Sequence, residues 1–176
     1  MADLKEFEQK AADLRVLGMK ISIGQDTVYE KYWDEDCRRN IYSASKSFTS
    51  CAVGFAVQEG LIDLDERLMD AFKEDIPNNP DENLKKATVK DLLTMTLGQE
   101  KGFLMGKQRP RMEEQNWVKA SLAIPFVYEP GTHFVYNNVG PYLAGILVQR
   151  RAGCDLLSYL TPRLLKPLGI RKTIWE

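Results

Sequence analysis

Between Lys46 and Glu59 the chain reads KSFTSCAVGFAVQE, where Phe48, Cys51, Ala52, Val53, Phe55, Ala56 and Val57 leave little of a helical surface polar. A helix lying on a surface needs one apolar stripe, whereas one that is apolar on nearly every side has to be enclosed by other elements. This segment therefore demands neighbours, and most of those the remaining sequence offers are helical. Gly60 stands where a left-handed C′ residue would end the helix. Cys51, inside the segment, reads as core packing.

Residues 2–16 place Leu4, Phe7, Ala11 and Leu14 at spacings of three and four, one face of an amphipathic helix. Leu17 to Ile23 then reads as extended, Gly24-Gln25-Asp26 as a turn, and Thr27 to Trp33 as alternating β-formers, which together predict a β-hairpin. After the apolar helix come a short helix over Asp65–Phe72, a Pro- and Asn-rich loop IPNNPDEN, and a helix from a Thr88 cap to about Met95 with Asp91 completing a capping box. A helix over Glu113–Leu122 follows, then the turn Glu129-Pro130-Gly131 and a short extended run from His133 to Tyr136. Asn138 is placed to cap the next helix, with Pro141 in its first turn and Gly153 at its end. Asp155 opens a last helical region interrupted by Pro162 and Pro167. The expected architecture is α+β and helix-rich: residues 1–40 form a helix and β-hairpin, and residues 41–176 a mainly helical part.

Composition narrows the function. A chain of 176 residues suffices for one domain or a large piece of a bigger one. A formal net charge of −1 gives no field that would favour nucleic acid, and no apolar run approaches the ~20 residues of a membrane span. The N-terminal MADLKEFEQKAADLR lacks the apolar centre of a secretory signal, so a cytoplasmic location is expected. Cys37, Cys51 and Cys154 are odd in number and widely spaced, and His133 is the only histidine, so neither a disulfide framework, a metal site nor a cofactor is expected. The loop Gly98–Met112 is locally basic through Lys101, Lys107, Arg109 and Arg111, a pattern more common in solvated loops than in binding patches. Its GFLMGKQ is one residue short of a phosphate loop and has Gln where Ser or Thr would hold the metal.

The chemistry-bearing spacing is Ser43-Ala44-Ser45-Lys46. Residues three apart share a helix face, so hydroxyl and amine can meet. A serine hydroxyl is a poor nucleophile until a base takes its proton, and a lysine serves only when burial or a helix N-terminus pulls its pKa down. The same dipole favours the oxyanion formed on attack. Against this, a chain with this much serine and lysine yields the spacing by chance about half the time. Ser43 or Ser45 can equally be an N-cap, with Lys46 a snorkelling first-turn residue. Tyr136 and Asn138, two apart where the extended run meets a helix, could pass a proton to a leaving group and hold a substrate carbonyl.

Four landmarks in order, covering Ile41 to Trp175, carry a resemblance. YSASKSFTS with its Gly-terminated apolar helix and GLIDLDERL resembles the first motif of the serine β-lactamase-related family, which includes class C β-lactamases, D-Ala-D-Ala carboxypeptidases and related esterases and amidases. ATVKDLLTMTLG resembles that family's "LLTHTSG" helix, with Met95 where histidine is commoner and Leu97 where serine is commoner. PGTHFVYNNVGPYLAGILVQ resembles its Y-x-N motif, and LLKPLGIRKTIW the segment closing its helical region. The resemblance implies Ser43 as acylated nucleophile, Lys46 as its base partner, Tyr136 in proton transfer and Asn138 in orienting substrate. It implies a structural His133 and a small-molecule ester, amide or β-lactam substrate, handled through an acyl-enzyme.

The family's third motif, Lys or His, then Thr or Ser, x, Gly, has no match after Tyr136; Lys172-Thr173-Ile174 lacks the glycine. The resemblance thus implies the N-terminal part of the fold without its C-terminal strands, and, with one oxyanion donor worth ~3 kcal/mol missing, weak turnover or none. Exposed apolar surface would then favour a homodimer or pairing with a missing C-terminal half. The export of β-lactamases and cell-wall peptidases tilts the reading towards an esterase or amidase. A non-catalytic helical interaction module derived from the family is the rival reading.

Overall fold

The computed structural model describes residues 4–35 and 37–175, and the chain divides into two units, Met1–Ile41 and Tyr42–Glu176. The helix expected over 2–16 spans α1, Lys5–Asp13, and its first two expected residues lie outside the described ones. Of its four apolar positions Ala11 alone is fully buried, while Phe7 is 41% and Leu14 79% exposed. The first unit has few side chains to cover them, and polar bonds tie it together instead. Glu8 accepts a hydrogen bond from Tyr29 at 2.8 Å and pairs with Lys31. That lysine, and after it the tyrosine, holds the Glu8 carboxyl below its usual range.

The hairpin is present. Strands β1, Gly18–Ile23, and β2, Asp26–Tyr32, pair antiparallel from Gly18↔Tyr32 to Ile23↔Asp26, with a bulge between Ile21 and Ser22. The turn is the two residues Gly24 and Gln25, so Asp26 belongs to the strand and not, as the sequence suggests, to the turn.

In the second unit a 3₁₀ turn, Tyr42–Ala44, runs into α2, Ser45–Gln58. Gly60 follows with φ of +71°, the left-handed residue expected there. The all-round burial expected of α2 is not found. Thr49, Ala52, Val53 and Ala56 are buried on one face, while Cys51 is exposed and Val57 is 37% exposed. Cys51 lies off the buried stripe at helical spacing, which corrects its assignment to the core.

The intervening helices are α3, Leu68–Ala71; α4, Glu82–Lys86; α5, Val89–Thr94; and α6, Trp117–Leu122. Of these α3 and α6 are shorter than expected, α5 lies between its Thr88 cap and Met95 as expected, and α4 is additional. Helix α4 begins inside the stretch read as loop, because Asp81 caps it by accepting from Leu84 N at 2.8 Å. Asp81 also accepts from Phe126 N at 2.9 Å, so the cap ties two distant segments together. The Thr88–Asp91 capping box forms as expected. Asn116, not a residue near Glu113, starts α6 by accepting from Val118 N and Lys119 N.

Helix α7, Val139–Ala152, runs against α2 and α5. A Cβ on Gly140 would stand 2.2 Å from Leu92 O, so only glycine permits this approach to α5. Gly153 ends α7 with φ of +67°. Asp155 then caps α8, Leu156–Leu160, which passes into a π turn, Thr161–Leu165; Pro162 widens the helix there and does not break it. Leu68, Phe72, Leu92, Leu122, Leu143 and Tyr159 are among the fully buried residues between these helices. The protein is thus a helix-rich α+β chain. Among the described residues no helix is long and apolar enough to cross a membrane.

Candidate active site

Ser43 sits in the 3₁₀ turn at the entrance to α2, and Lys46 in the first turn of α2. Neither Ser43 nor Ser45 caps the helix: the N-cap position is Ala44, without a side-chain cap bond. The tightening turn before α2 keeps positions 43 and 46 on one face, and Lys46 Nζ donates to Ser43 Oγ at 3.0 Å. Tyr42, immediately before, has a φ of +46°, a left-handed conformation that costs a non-glycine residue about 1–3 kcal/mol and marks a tightly determined backbone. Ser43 is exposed and Lys46 half-buried.

Tyr136 reaches the same oxygen from 93 residues away: its hydroxyl donates to Ser43 Oγ at 2.7 Å. Lys46 Nζ stands 5.2 Å from the centre of the Tyr136 ring. The hydrogen bond with Ser43, and after it the bond and charge of Lys46, hold the Tyr136 phenol below its ordinary value of 10.0, outweighing the opposing effect of burial. This is an ordinary O–H···O distance, and were the phenol ionised the serine hydroxyl could donate back across it.

Asn138 occupies the N-cap position of α7, yet its side chain does not cap. Asn138 Nδ2 donates to Leu104 O at 2.9 Å and its backbone N to Phe103 O at 3.2 Å. The cap comes from Asn137, whose Oδ1 accepts from Gly140 N at 3.1 Å. The expected capping role thus belongs to the preceding residue, and Asn138 is turned towards the loop that carries Phe103 and Leu104. An amide nitrogen carries two hydrogens, so one donor of Asn138 remains beyond the bond to Leu104.

The segment His133 to Tyr136, expected to be extended, belongs to no strand among the described residues. It is held by Val135 N donating to Met95 O at 3.0 Å. The His133 ring stacks on Tyr128 with centroids 4.2 Å apart, and its Nδ1 is 2.8 Å from Thr132 Oγ1. The structure therefore gives His133 partners other than Ser43. The basic residues Lys101, Lys107, Arg109 and Arg111 are exposed.

Of the four expected residues the structure brings Ser43, Lys46 and Tyr136 together, while the Asn138 side chain bonds Leu104 O; sequence reasoning misses the backbone carbonyls of Met95, Phe103 and Leu104, which hold Val135 and Asn138. The available signal was Phe103-Leu104, an apolar pair inside a basic loop, of which Leu104 is only 2% exposed. A loop with a fully buried leucine is anchored, not merely solvated.

The beta-lactamase family model matches residues 5–176. The chain belongs to the beta-lactamase family. Monacolin J acid methylbutanoyltransferase of Aspergillus terreus is 31% identical over 157 residues, covering 78% of this chain and 37% of that protein. Lovastatin esterase of Penicillium rubens is 31% identical over 150 residues, covering 73% and 37%. The structure of the octameric penicillin-binding protein homologue from Pyrococcus abyssi matches with a TM-score of 0.73 at 25% identity, covering 99% of this chain and 45% of its own. This beta-lactamase-family chain thus spans between a third and a half of the length of these relatives, and within it lie the residues that carried the resemblance.

Proposed function

We propose that this chain carries the acylating centre of a serine hydrolase or acyltransferase, with Ser43 as nucleophile, Lys46 and Tyr136 as its proton acceptors, and Asn138 as the group that orients substrate. The observation that carries the reading is the convergence of Lys46 Nζ at 3.0 Å and Tyr136 Oη at 2.7 Å on one serine oxygen. A hydroxyl so placed can surrender its proton as it attacks. Ser43 Oγ forms a bond to the acyl carbon while its proton passes to the phenolate or amine. The bond to the leaving group breaks, and that proton moves on to the departing oxygen or nitrogen. The acyl group is left as an ester on Ser43. Water or an alcohol then repeats the sequence in reverse, giving an acid or a new ester.

The lowered Tyr136 pKa supports a reading in which Tyr136 shares the proton-accepting role with Lys46. The two groups act as a coupled pair, so the protons belong to both. The substrate class is an ester, amide or β-lactam. Among these the reading favours esters, because the relatives named above are a methylbutanoyltransferase and an esterase.

A fluorophosphonate probe tests the assignment. The expected result is one adduct per chain, located by peptide mass on the segment holding Ser43, and none in Ser43→Ala. Equal labelling of both proteins would sink the assignment. Hydrolysis of p-nitrophenyl butanoate set against a chromogenic cephalosporin tests the substrate class; a faster cephalosporin reaction would overturn the preference for esters.

A further inference from the structure

The loop between α5 and α6 contains the GFLMGKQ stretch whose likeness to a phosphate loop fails, and the acylation chemistry gives it no role. Its geometry does. Tyr136 is fixed at three backbone points by this loop and the residue that ends α5. Val135 N donates to Met95 O at 3.0 Å, Asn138 N donates to Phe103 O at 3.2 Å, and between them the Tyr136 carbonyl lies against Gly102, where an added Cβ would stand 2.8 Å from the carbonyl oxygen. Leu104 O holds the Asn138 side chain at 2.9 Å. Gln108 braces the shelf from below: its Nε2 donates to Gly102 O at 3.4 Å and its Oε1 accepts from Met105 N at 2.9 Å.

The backbone is bent to make this possible. Met95 and Leu104, whose carbonyls hold Val135 and Asn138, have φ of +56° and +55°, conformations that non-glycine residues adopt only where the surroundings impose them. A strip with no strand partner is thereby given a fixed height and direction.

We infer that the loop Gly98–Gln108 is a positioning element for Tyr136, and that Gly102 is the residue on which this depends, because it alone lets the Tyr136 carbonyl seat low enough for the phenol to meet Ser43. The inference rests on the acylation reading for its consequence in catalysis, but not for its geometry. A Cβ at position 102 meets backbone, which cannot swing aside, so the Tyr136 strip must lift. A misplacement of about 1 Å at a reacting group costs roughly 100-fold in rate. Gly106 supplies an internal control on the same loop: its added Cβ would meet only the mobile end of Arg109, at 3.7 Å.

The experiment is a pH titration of the protein labelled with ¹³Cζ-tyrosine, with the Tyr136 signal assigned by Tyr136→Phe, alongside fluorophosphonate labelling rates. In Gly102→Ala the Tyr136 titration is expected to move up towards 10 as contact with Ser43 is lost, and labelling to slow roughly 100-fold. Gly106→Ala is expected to change neither. Should Gly102→Ala not fold, Gln108→Ala, which releases the Gly102 carbonyl, is expected to give a smaller shift in the same direction. An unchanged Tyr136 titration in a folded Gly102→Ala, or equal shifts at positions 102 and 106, overturns the inference. Absence of labelling in the unaltered protein would count against the acylation reading alone, since the titration still reports where Tyr136 sits.

Discussion

The two ends of α2 each meet a tyrosine, and the two tyrosines are pushed in opposite directions. At the N-terminal end Tyr136, 44% exposed, bonds Ser43 beside the Lys46 ammonium and is held below its ordinary pKa. At the C-terminal end Tyr159, 1% exposed, donates to the Glu59 carboxylate at 2.9 Å and is pushed up to about 12, first by burial and then by that carboxylate. A phenol is a proton donor held fast in one setting and an incipient base in the other. The helix dipole runs the same way, favouring negative charge at the first turn and opposing it at the last. Arg163 offsets the placement of Glu59 at that last turn, donating to its carboxylate at 2.6 Å and lying 3.9 Å from the centre of the Tyr159 ring. On the proposed reading one end of α2 moves a proton, while the other holds one in a buried bond.

The largest effect expected from breaking this contrast is at the N-terminal end. Lys46→Met removes the cation while leaving the helix exposed face intact, and fluorophosphonate labelling of Ser43 should fall roughly 1000-fold. Tyr136→Phe should cost roughly 100-fold, since the amine still contacts the serine. In Lys46→Met the Tyr136 titration should rise only part of the way to 10, because the larger cause of its depression is the bond to Ser43. A depressed phenol is ionised more fully at a given pH, so labelling of the unaltered protein should climb with pH along a limb centred below 10. A limb centred at or above 10 would show that Tyr136 is not the titrating group.

The C-terminal end makes a prediction about stability. Below pH 10 Tyr159 is protonated whether the chain is folded or not, and its contribution is fully present. Between pH 10 and about 12 the unfolded chain loses that proton and the folded chain keeps it, so the folded state binds more protons and stability falls as pH rises. Two pKa units correspond to about 3 kcal/mol. Tyr159→Phe should be less stable than the unaltered protein near pH 8, by about 1 kcal/mol for the lost bond to Glu59. Urea titrations at pH 8 and at pH 12 should show that deficit reverse, since the unaltered protein alone loses about 2 kcal/mol over this range while Tyr159 is half titrated in the folded state; parallel pH profiles for the two proteins would remove Tyr159 from the account.

The same contrast explains what was legible in the sequence. The Ser43–Lys46 pair follows from helical spacing, and the turn that joins it to α2 is local, so the pattern of residues announces it. Gly60, Gly153 and the Thr88–Asp91 box are equally local and were read at the right positions. Tyr136 and Asn138 could be tied to Ser43 only through a family resemblance, because what brings them there is a chain of backbone carbonyls, and carbonyls leave no mark in a sequence. Cys51 was misplaced because composition reports that a helix is apolar but not which face is covered. Helix α4 was missed because its signal, Asp81, lies among prolines and asparagines that read equally well as loop. Tyr159 and Arg163 are neighbours one helical turn apart, but Glu59 lies about 100 positions before them and nothing local couples it to either.

The smallest expected effect separates two neighbouring asparagines. Asn137 is 1% exposed and caps α7 through Gly140, whereas Asn138 turns to Leu104. Asn137→Ala should lower stability by about 1 kcal/mol, a shift of roughly 2–4 °C in melting temperature, because a cap on a helix that lies against both α2 and α5 is lost. Since α7 packs against both α2 and α5, that loss should weaken the second unit as a whole and leave both tyrosine titrations where they are. Asn138→Ala should do the reverse, slowing the labelling of Ser43 and shifting the Tyr136 titration with little change in melting temperature. If Asn137→Ala instead moves Tyr136 while sparing Tyr159, the cap of α7 belongs to the Ser43 end of α2, and the two ends are not served by a common support.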